Sequence, residues 1–305
     1  MIVDAVERYV ASIRAAGRSF RKDARRLANY AAFAQARGDS HVNTQRVLEW
    51  ARRSSSARQR RSLVLLVRRF ALAMAVEDPR HEAPPADVLP RVPQVRPNPY
   101  IYSASEIAAL LAVADECATI RCPVPGQYRI LFGLIAATGL RGCEALAVDV
   151  DDVTPEGLMV RPAKRGGRRL LPFHPTVETQ LARHLRARVR VPADTEALFL
   201  ADGRGRMGPS AAHAVFRRMR SRTGLAGARE DGRNPRIHDL RHTFAVRSLE
   251  ACGSGRRAAA RHMTALSAWL GHASAVHTWW YHESTEALLG EVARRTEAFH
   301  GEDAS

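Results

Sequence analysis

The segment HDLRHTFA, at residues 238–245, concentrates side chains that can bind an anion and move a proton. His238, Arg241 and His242 are three and four residues apart, so on a helix their side chains point in roughly the same direction. A guanidinium binds phosphate or carboxylate oxygens, and an imidazole exchanges a proton near neutral pH. The alternative interpretation is an ordinary helix N-terminus with exposed charges.

Lysine is rare in this chain, which contains Lys22 and Lys164 beside 45 arginines. An ammonium can release a proton whereas a guanidinium stays protonated. A lysine that persists where arginine would serve for charge is therefore a candidate for proton transfer. Lys164 lies in AKRGGRRLLPF, at the predicted turn between two strands. A solvated turn lysine is the alternative.

A third segment, LSAWLGHASAVHTWWY, ends at Tyr281. His272 follows a Leu-Gly helix end, and Tyr281 comes nine residues later, directly after Trp279 and Trp280. An activated tyrosine hydroxyl can form a covalent intermediate. A buried aromatic helix whose tyrosine hydroxyl finds some hydrogen-bond partner is the alternative.

Together these segments resemble the tyrosine recombinase (phage integrase) family. TGLRGCEAL, at residues 138–146, is similar to the first arginine box of the family, with Glu144 as its accompanying acid. HDLRH is similar to the second box and LGH to the next, and the tyrosine follows at the expected distance. The resemblance implies a catalytic set of Arg141, Lys164, His238, Arg241, His272 and Tyr281.

The residue types suit attack on a DNA phosphodiester. Such a reaction needs a nucleophile, stabilisation of extra negative charge on the phosphorus centre and a proton for the leaving 5′ oxygen. Tyr281 would be the nucleophile, and Arg141 and Arg241 offer planar forks for the non-bridging oxygens. The resemblance implies that Lys164 protonates the leaving oxygen.

The remaining polar residues of the motifs are expected to support these groups. His238 and His272 would hydrogen-bond the phosphate, and His238 could also accept the tyrosine proton. Glu144 lies three residues after Arg141, so one helical turn brings it close enough to orient that guanidinium. His242 is expected to be structural.

The resemblance implies a site-specific DNA recombinase that works through a 3′-phosphotyrosine intermediate, as a mobile-element integrase or an Xer-like recombinase. It also implies a homo-tetramer on two sites in double-stranded DNA, with other recombinases or directionality factors as further partners. The alternatives are a catalytically silent DNA-binding accessory protein and a type IB topoisomerase-like enzyme. An apolar stripe in the last predicted helix, around residues 286–299, would dock on a neighbouring protomer or pack within its own chain.

No metal or other cofactor is expected from the sequence. Five histidines near the motifs could supply imidazoles, but HExxH, zinc-type Cys/His spacings and a carboxylate cluster for Mg²⁺ are all absent from the sequence. A Gly-rich loop ending in GK[ST] is also missing, so ATP hydrolysis is unsupported. A phosphotyrosine linkage retains the energy of the broken diester, so the reaction needs no ATP.

The charge balance independently favours nucleic acid as the partner. The sequence of 305 residues has 47 Lys+Arg and 31 Asp+Glu, a net charge of +16. The predicted helix at residues 210–222 carries a cluster of basic side chains that is a candidate DNA-binding element, with a solvated face as the alternative. This cluster comprises Arg217, Arg218, Arg220 and Arg222.

The predicted fold class is mainly α-helical with two domains. Helical periodicity predicts a four-helix, core-binding-like bundle over residues 1–82, and a Pro-rich spacer is expected over residues 83–101. Ser103 and Glu106 form a predicted capping box that opens the catalytic domain, residues 102–305. Within it, helices are predicted before and after a small antiparallel sheet between residues 147 and 173.

The cellular location is predicted from segments that the sequence does not contain. The longest apolar stretch, residues 130–140, is about half the ~20 residues that a membrane-spanning helix needs. The N-terminus MIVDAVERYV carries acids early, unlike a signal peptide. The four cysteines form no CxxC pair. We therefore expect a cytoplasmic, nucleoid-associated protein without a membrane partner.

Overall fold

A computed structural model describes residues 1–17, 20–93, 98–119, 121–161, 167–229, 232–252 and 256–271. The chain divides into two compact units, Met1–Arg96 and Pro97–Ser305. The division falls inside the predicted spacer. The mainly helical class with a small antiparallel sheet is confirmed. None of the described helices is both long and apolar enough to cross a membrane.

The first unit contains the four expected helices, α1 (Ile2–Ala15), α2 (Arg21–Gln35), α3 (Thr44–Arg52) and α4 (Ala57–Met74). Asn43 and Ser56 cap α3 and α4 with their side chains. Apolar residues at helical spacing meet in one core, in which Tyr30 packs edge-on against Trp50 with ring centroids 5.3 Å apart.

Part of the predicted spacer lies along the first unit. Arg58, Arg61 and Arg68 on α4 donate hydrogen bonds to the carbonyl oxygens of Pro93, Ala86 and Pro84. Prolines supply acceptors without a donor of their own, so arginine donors suit this segment. Residues 83–93 therefore pack on the bundle, where the sequence suggested an extended spacer.

The second unit begins with α5 (Ala104–Ala112), which opens with the predicted Ser103–Glu106 capping box. The apolar pattern predicts a helix over residues 104–118, but α5 ends at Ala112 and the backbone continues in turns. It is followed by α6 (Gln127–Thr138) and the six-residue α7 (Gly142–Ala147). A Cβ on Gly139, between α6 and α7, would lie 2.5 Å from Phe244, so the close approach requires glycine.

Three antiparallel strands follow in the order β1 (Val153–Thr154), β2 (Gly157–Val160) and β3 (Arg169–Leu171). Four more helices complete the described part of this unit: α8 (Pro175–Arg188), α9 (Pro209–Arg222), α10 (Ile237–Glu250) and α11 (Arg256–Leu270). The apolar pattern predicts that the last of these helices begins at residue 263, whereas α11 begins at Arg256. Buried Val246 on α10 packs in one cluster with Leu266 and Leu270 on α11, which brings the end of α11 beside the HDLRH motif.

Candidate active site

Arg141 is the residue that precedes the first turn of α7, and Glu144 is the third residue of that helix. The Glu144 carboxylate accepts the backbone N–H of Arg141 at 3.1 Å and its Nη1 donor at 2.8 Å. A carboxylate at this position satisfies a backbone donor that the helix leaves unpaired. The short helix thereby fixes the arginine and its acid together, as the sequence predicted.

Arg241 lies on α10 and is almost completely buried, with 1% of its side chain exposed. Its Nη1 donates to the carbonyl oxygen of Gly139 at 2.7 Å, and its Nη2 donates to that of Leu270 at 2.8 Å. Its Nη1 also lies 3.9 Å from Glu144 Oε2. In this arrangement Arg241 joins the end of α6 to the end of α11.

Arg169, the first residue of β3, was missed by the sequence reasoning. Its Nη2 donates to Glu144 Oε2 at 2.8 Å, and its Nε donates to the carbonyl oxygen of Trp269 at 2.8 Å. Strand alternation was the available signal, because Leu171 on the same face is buried whereas Leu170 is 43% exposed. An arginine that shares the buried face of a strand needs a partner, and Glu144 supplies it.

The three arginines converge on the C-terminal end of α11. The last carbonyl groups of a helix have no partner within the helix and carry partial negative charge. Arg141 donates to the carbonyls of Leu270 at 3.4 Å and Gly271 at 3.2 Å. Together with the bonds from Arg169 and Arg241, these contacts hold the helix end that leads directly to His272.

One buried carboxylate thus faces three guanidinium groups. Burial by itself would raise the pKa of Glu144, but hydrogen bonds from Arg169 and Arg141 outweigh it and hold that pKa below its usual value. Three positive charges and one negative charge leave a local net charge of +2 at neutral pH. Arg141 is the accessible member, with one third of its side chain exposed. The cluster can therefore attract a phosphate.

His238 and His242 lie on successive turns of α10, with ring centroids 4.5 Å apart. His238 is exposed to solvent as a residue. Partial burial of its ring and the nearby Arg241 cation nevertheless lower its pKa. His242 is buried, and burial together with His238 lowers its pKa to about 3. Both rings are consequently neutral at pH 7, and a neutral imidazole can accept a proton.

The predicted catalytic set is only partly covered by the described residues. The structure brings together Arg141 and Arg241 and places His238 at the start of α10. Lys164, His272 and Tyr281 lie outside the described residues, as does the predicted last helix. Before Lys164, Arg161 donates to Asp149 at 2.5 Å and to Asp152 at 3.1 Å, which fixes one end of the segment that carries the lysine.

The four arginines predicted to bind DNA do not form one common face of α9, because Arg218 and Arg222 bond to the neighbouring residues Cys117 and Glu116 whereas Arg220 bonds to Pro235. Arg218 donates to the carbonyl of Cys117, Arg220 donates to that of Pro235, and Arg222 pairs with exposed Glu116 at 2.7 Å. Arg217 is exposed. Their role in DNA binding stays a prediction.

One group of described side chains has the composition of a metal site: His41, Asp78 and His81 in the first unit. However, Nδ1 of His81 accepts the backbone N–H of Val42 at 3.2 Å, so the neutral ring carries its proton on Nε2. Arg80 also donates to both oxygens of Asp78. These bonds favour a polar clamp between the α2–α3 loop and the chain after α4 over a metal centre.

Comparison with known proteins places this arrangement in a family. The sequence profile of the phage integrase family matches residues 102–287. A Sinorhizobium fredii protein named as an integrase/recombinase, y4rB, is 35% identical over 303 residues and is covered over 96% of both chains. Tyrosine recombinase XerD of Corynebacterium glutamicum is 31% identical over 212 residues, which is 68% of this chain and 64% of XerD.

Solved structures share the fold. A lambda integrase fragment, crystallised as a dimer bound to a COC′ core site, has a TM-score of 0.63 at 17% identity over 93% of this chain and 95% of that chain. XerH recombinase bound to palindromic difH has a TM-score of 0.62 at 18% identity over 90% of this chain and 78% of that chain.

The mainly helical chain with its small antiparallel sheet thus shares the fold of these two recombinases. The chain belongs to the phage integrase family of tyrosine recombinases. This confirms the resemblance drawn from the sequence motifs. Membership makes the protein an enzyme, and it implies the cleavage and rejoining of DNA.

Proposed function

We propose that the protein is a site-specific recombinase that cuts and rejoins DNA strands through a 3′-phosphotyrosine at Tyr281. The observation that carries this proposal is the meeting of Arg141 and Arg241 at the carbonyl oxygen of Leu270, the last residue of α11, two residues before His272. Two guanidinium groups at one point can neutralise the charge that develops on a phosphate during attack. This arrangement supports metal-independent chemistry.

The proposed reaction begins when the Tyr281 oxygen attacks phosphorus and the bond from phosphorus to the 5′ oxygen breaks. His238 accepts the tyrosine proton, for which its lowered pKa keeps it neutral. Lys164 gives a proton to the leaving 5′ oxygen, and His272 hydrogen-bonds the phosphate. Rejoining is the reverse, with the 5′-hydroxyl of a second strand as the nucleophile.

Arg141 and Arg241 would bind the non-bridging oxygens. Arg141 is accessible, whereas Arg241 is bound to backbone carbonyls. We therefore expect DNA to meet Arg141 first and to reorient Arg241 when the phosphate enters.

The assembly that we propose is a homo-tetramer on two DNA sites that exchanges strands through a Holliday junction. A lambda integrase tetramer bound to a Holliday junction shares the fold of this chain, with a TM-score of 0.62 at 17% identity. The integrase and Xer relatives support a role as a mobile-element integrase or an Xer-like recombinase. Other recombinases and directionality factors would join it on the DNA of the nucleoid.

Covalent trapping on nicked suicide DNA tests the reaction. Candidate sites come from a random duplex pool selected with the protein itself, and the wild type is compared with Tyr281→Phe. Tyr9→Phe, in the first unit, serves as the matched control. We expect a denaturant-stable adduct with the wild type and Tyr9→Phe, mapped to Tyr281, and none with Tyr281→Phe.

The other outcomes separate the alternatives. Specific DNA binding without an adduct would contradict the reaction and favour an accessory protein. An adduct at another tyrosine would overturn the assignment of the nucleophile. Relaxation of a plasmid without exchange between two sites would favour a topoisomerase-like enzyme.

A further inference from the structure

Two neighbouring arginines at the start of β3 differ sharply in their exposure to solvent. Arg168 is exposed, whereas the side chain of Arg169 is 14% exposed. The alternation of side chains along the strand turns the second arginine toward α7 and α11. The pair therefore offers a buried arginine and an exposed one on adjacent residues.

All three nitrogens of the Arg169 guanidinium are engaged. Nη2 and Nη1 donate to the two oxygens of Glu144 at 2.8 and 3.4 Å, and Nε donates to the carbonyl of Trp269 at 2.8 Å. The planar fork is suited to such two-point binding of a carboxylate, whereas an ammonium group makes only part of it. A single side chain thus joins β3, α7 and the last turn of α11.

The fit extends to the residue at which α11 ends. Gly271 has a φ of +63°, and a Cβ there would lie 2.8 Å from Nη1 of Arg169. The guanidinium therefore lies directly against the backbone that leaves the helix. The next residue is His272, and Leu270 and Gly271 also accept hydrogen bonds from Arg141.

We propose that Arg169 is a positioning residue for the recombinase reaction, which fixes the end of α11, and so the start of the segment that carries His272, against Arg141 and Arg241. The inference rests on the function proposed above. Arg169 acts through Glu144 and the α11 backbone and does not itself touch the phosphate. A displacement of reacting groups by about 1 Å can lower a rate about 100-fold, so such a residue is important for chemistry without contacting DNA.

Because Arg169 is charged, its loss should change the pH dependence of the cleavage rate, which a loss of packing alone would not do. Among the interactions that lower the pKa of Glu144, the hydrogen bond from Arg169 is the strongest. Without Arg169, burial raises the pKa of Glu144, and the carboxylate then takes up a proton at higher pH. A neutral Glu144 no longer orients Arg141, so the acid side of the rate profile moves to higher pH.

The experiment measures single-turnover formation of the covalent adduct on the suicide duplex at saturating DNA, from pH 5 to 9. The variants are Arg169→Gln, Arg169→Lys and the matched control Arg168→Gln. We expect Arg169→Gln to lower the cleavage rate about 10- to 100-fold with a DNA dissociation constant within about threefold of wild type. Arg169→Lys should recover part of the rate, and Arg168→Gln should stay within about threefold.

Three results would overturn the inference. The first is an Arg169→Gln rate within about threefold of wild type. The second is equal loss in Arg169→Gln and Arg169→Lys without a shift of the acid limb. The third is a rate loss that follows a matching loss of folded protein in urea unfolding. Failure of the wild type to form any adduct would instead count against the proposed function.

Discussion

Glu144 and Asp239 are buried carboxylates that occupy the same position in two helices, and their partners differ. Each is the third residue of its helix and accepts the backbone N–H of the preceding arginine, Arg141 at 3.1 Å and Arg236 at 2.7 Å. The arginines around Glu144 also donate hydrogen bonds to carbonyl oxygens at the end of α11. By contrast, Arg229 pairs with Asp239 and donates a hydrogen bond to the carbonyl oxygen of Asn98, at the start of the second unit.

The difference shows how one local arrangement serves two purposes. A capping carboxylate that also binds guanidinium groups fixes the backbone segments to which those groups donate their other hydrogen bonds. At Glu144 the groups reach the helix end before His272, and Arg141 remains accessible. At Asp239 they reach a connecting segment. We therefore expect Glu144 to control the rate of the reaction and Asp239 to control stability.

Glu144→Gln tests whether the first carboxylate controls the rate. The amide keeps the size of the side chain but places an N–H₂ group and no charge among three guanidinium groups. We expect the rate of adduct formation to fall about 100- to 1000-fold, because Arg141 and the end of α11 lose their common anchor. Single-turnover trapping on suicide DNA measures it. A rate within about threefold of wild type would remove Glu144 from the positioning of the site.

The reciprocal variant is Asp239→Asn. It leaves Arg229, whose side chain is 6% exposed, facing a neutral amide. We expect the free energy of unfolding in urea to fall by about 2 kcal/mol, the cost of weakening a buried charged hydrogen bond. The cleavage rate of the folded protein should stay within about threefold of wild type. A rate loss as large as that of Glu144→Gln, at unchanged stability, would reverse the two roles.

The comparison also shows what the sequence could provide. Apolar periodicity predicts a helix over residues 127–138, which are the bounds of α6, and the Ser103–Glu106 capping box was likewise predicted, because periodicity and capping are local signals. The motifs identified Arg141 with Glu144, which lie one turn apart. A helical turn after Arg141 was expected, but the extent of α7 was not, since six residues are too few to show a helical period.

Contacts between distant segments were beyond the reach of sequence patterns. Arg169 is 25 residues from Glu144 and 100 residues from Trp269, so only the packed fold reveals that it joins them. The burial of Arg241 likewise depends on where α11 ends. The motif predicted which residue is important, but its bonds to Gly139 and Leu270 required the positions of two helices.

A smaller effect is expected from His242, which lies on α10 between the two clusters. Its folded pKa of about 3 is below the value near 6.5 of an unfolded chain. The stability contributed by the neutral ring is complete above pH 6.5 and is lost as the pH falls, because only the unfolded chain then binds the proton. We expect a loss of about 1 kcal/mol per pH unit between pH 6 and 4.

Urea unfolding of the wild type and His242→Gln over this pH range measures the effect. The substitution should flatten the pH dependence. His213→Gln, at an exposed position of α9, is the control and should keep the wild-type slope of the free energy of unfolding against pH. An unchanged slope in His242→Gln would show that the ring is not held neutral by its surroundings.

The smallest effect is expected where arginines face solvent instead of a carboxylate. Arg217 on α9 is exposed, whereas Arg218 and Arg220 donate hydrogen bonds to the carbonyl oxygens of Cys117 and Pro235. If it contacts a DNA phosphate, Arg217→Ala should weaken binding a few-fold and reduce the slope of log K against log salt by about 1. The free energy of unfolding should change by less than about 0.5 kcal/mol. Arg183→Ala, an exposed arginine on α8, is the control. Equal salt slopes for both variants would assign the Arg217 side of α9 to solvent, and the basic surface of α9 would then differ from the Glu144 cluster in function as well as in burial.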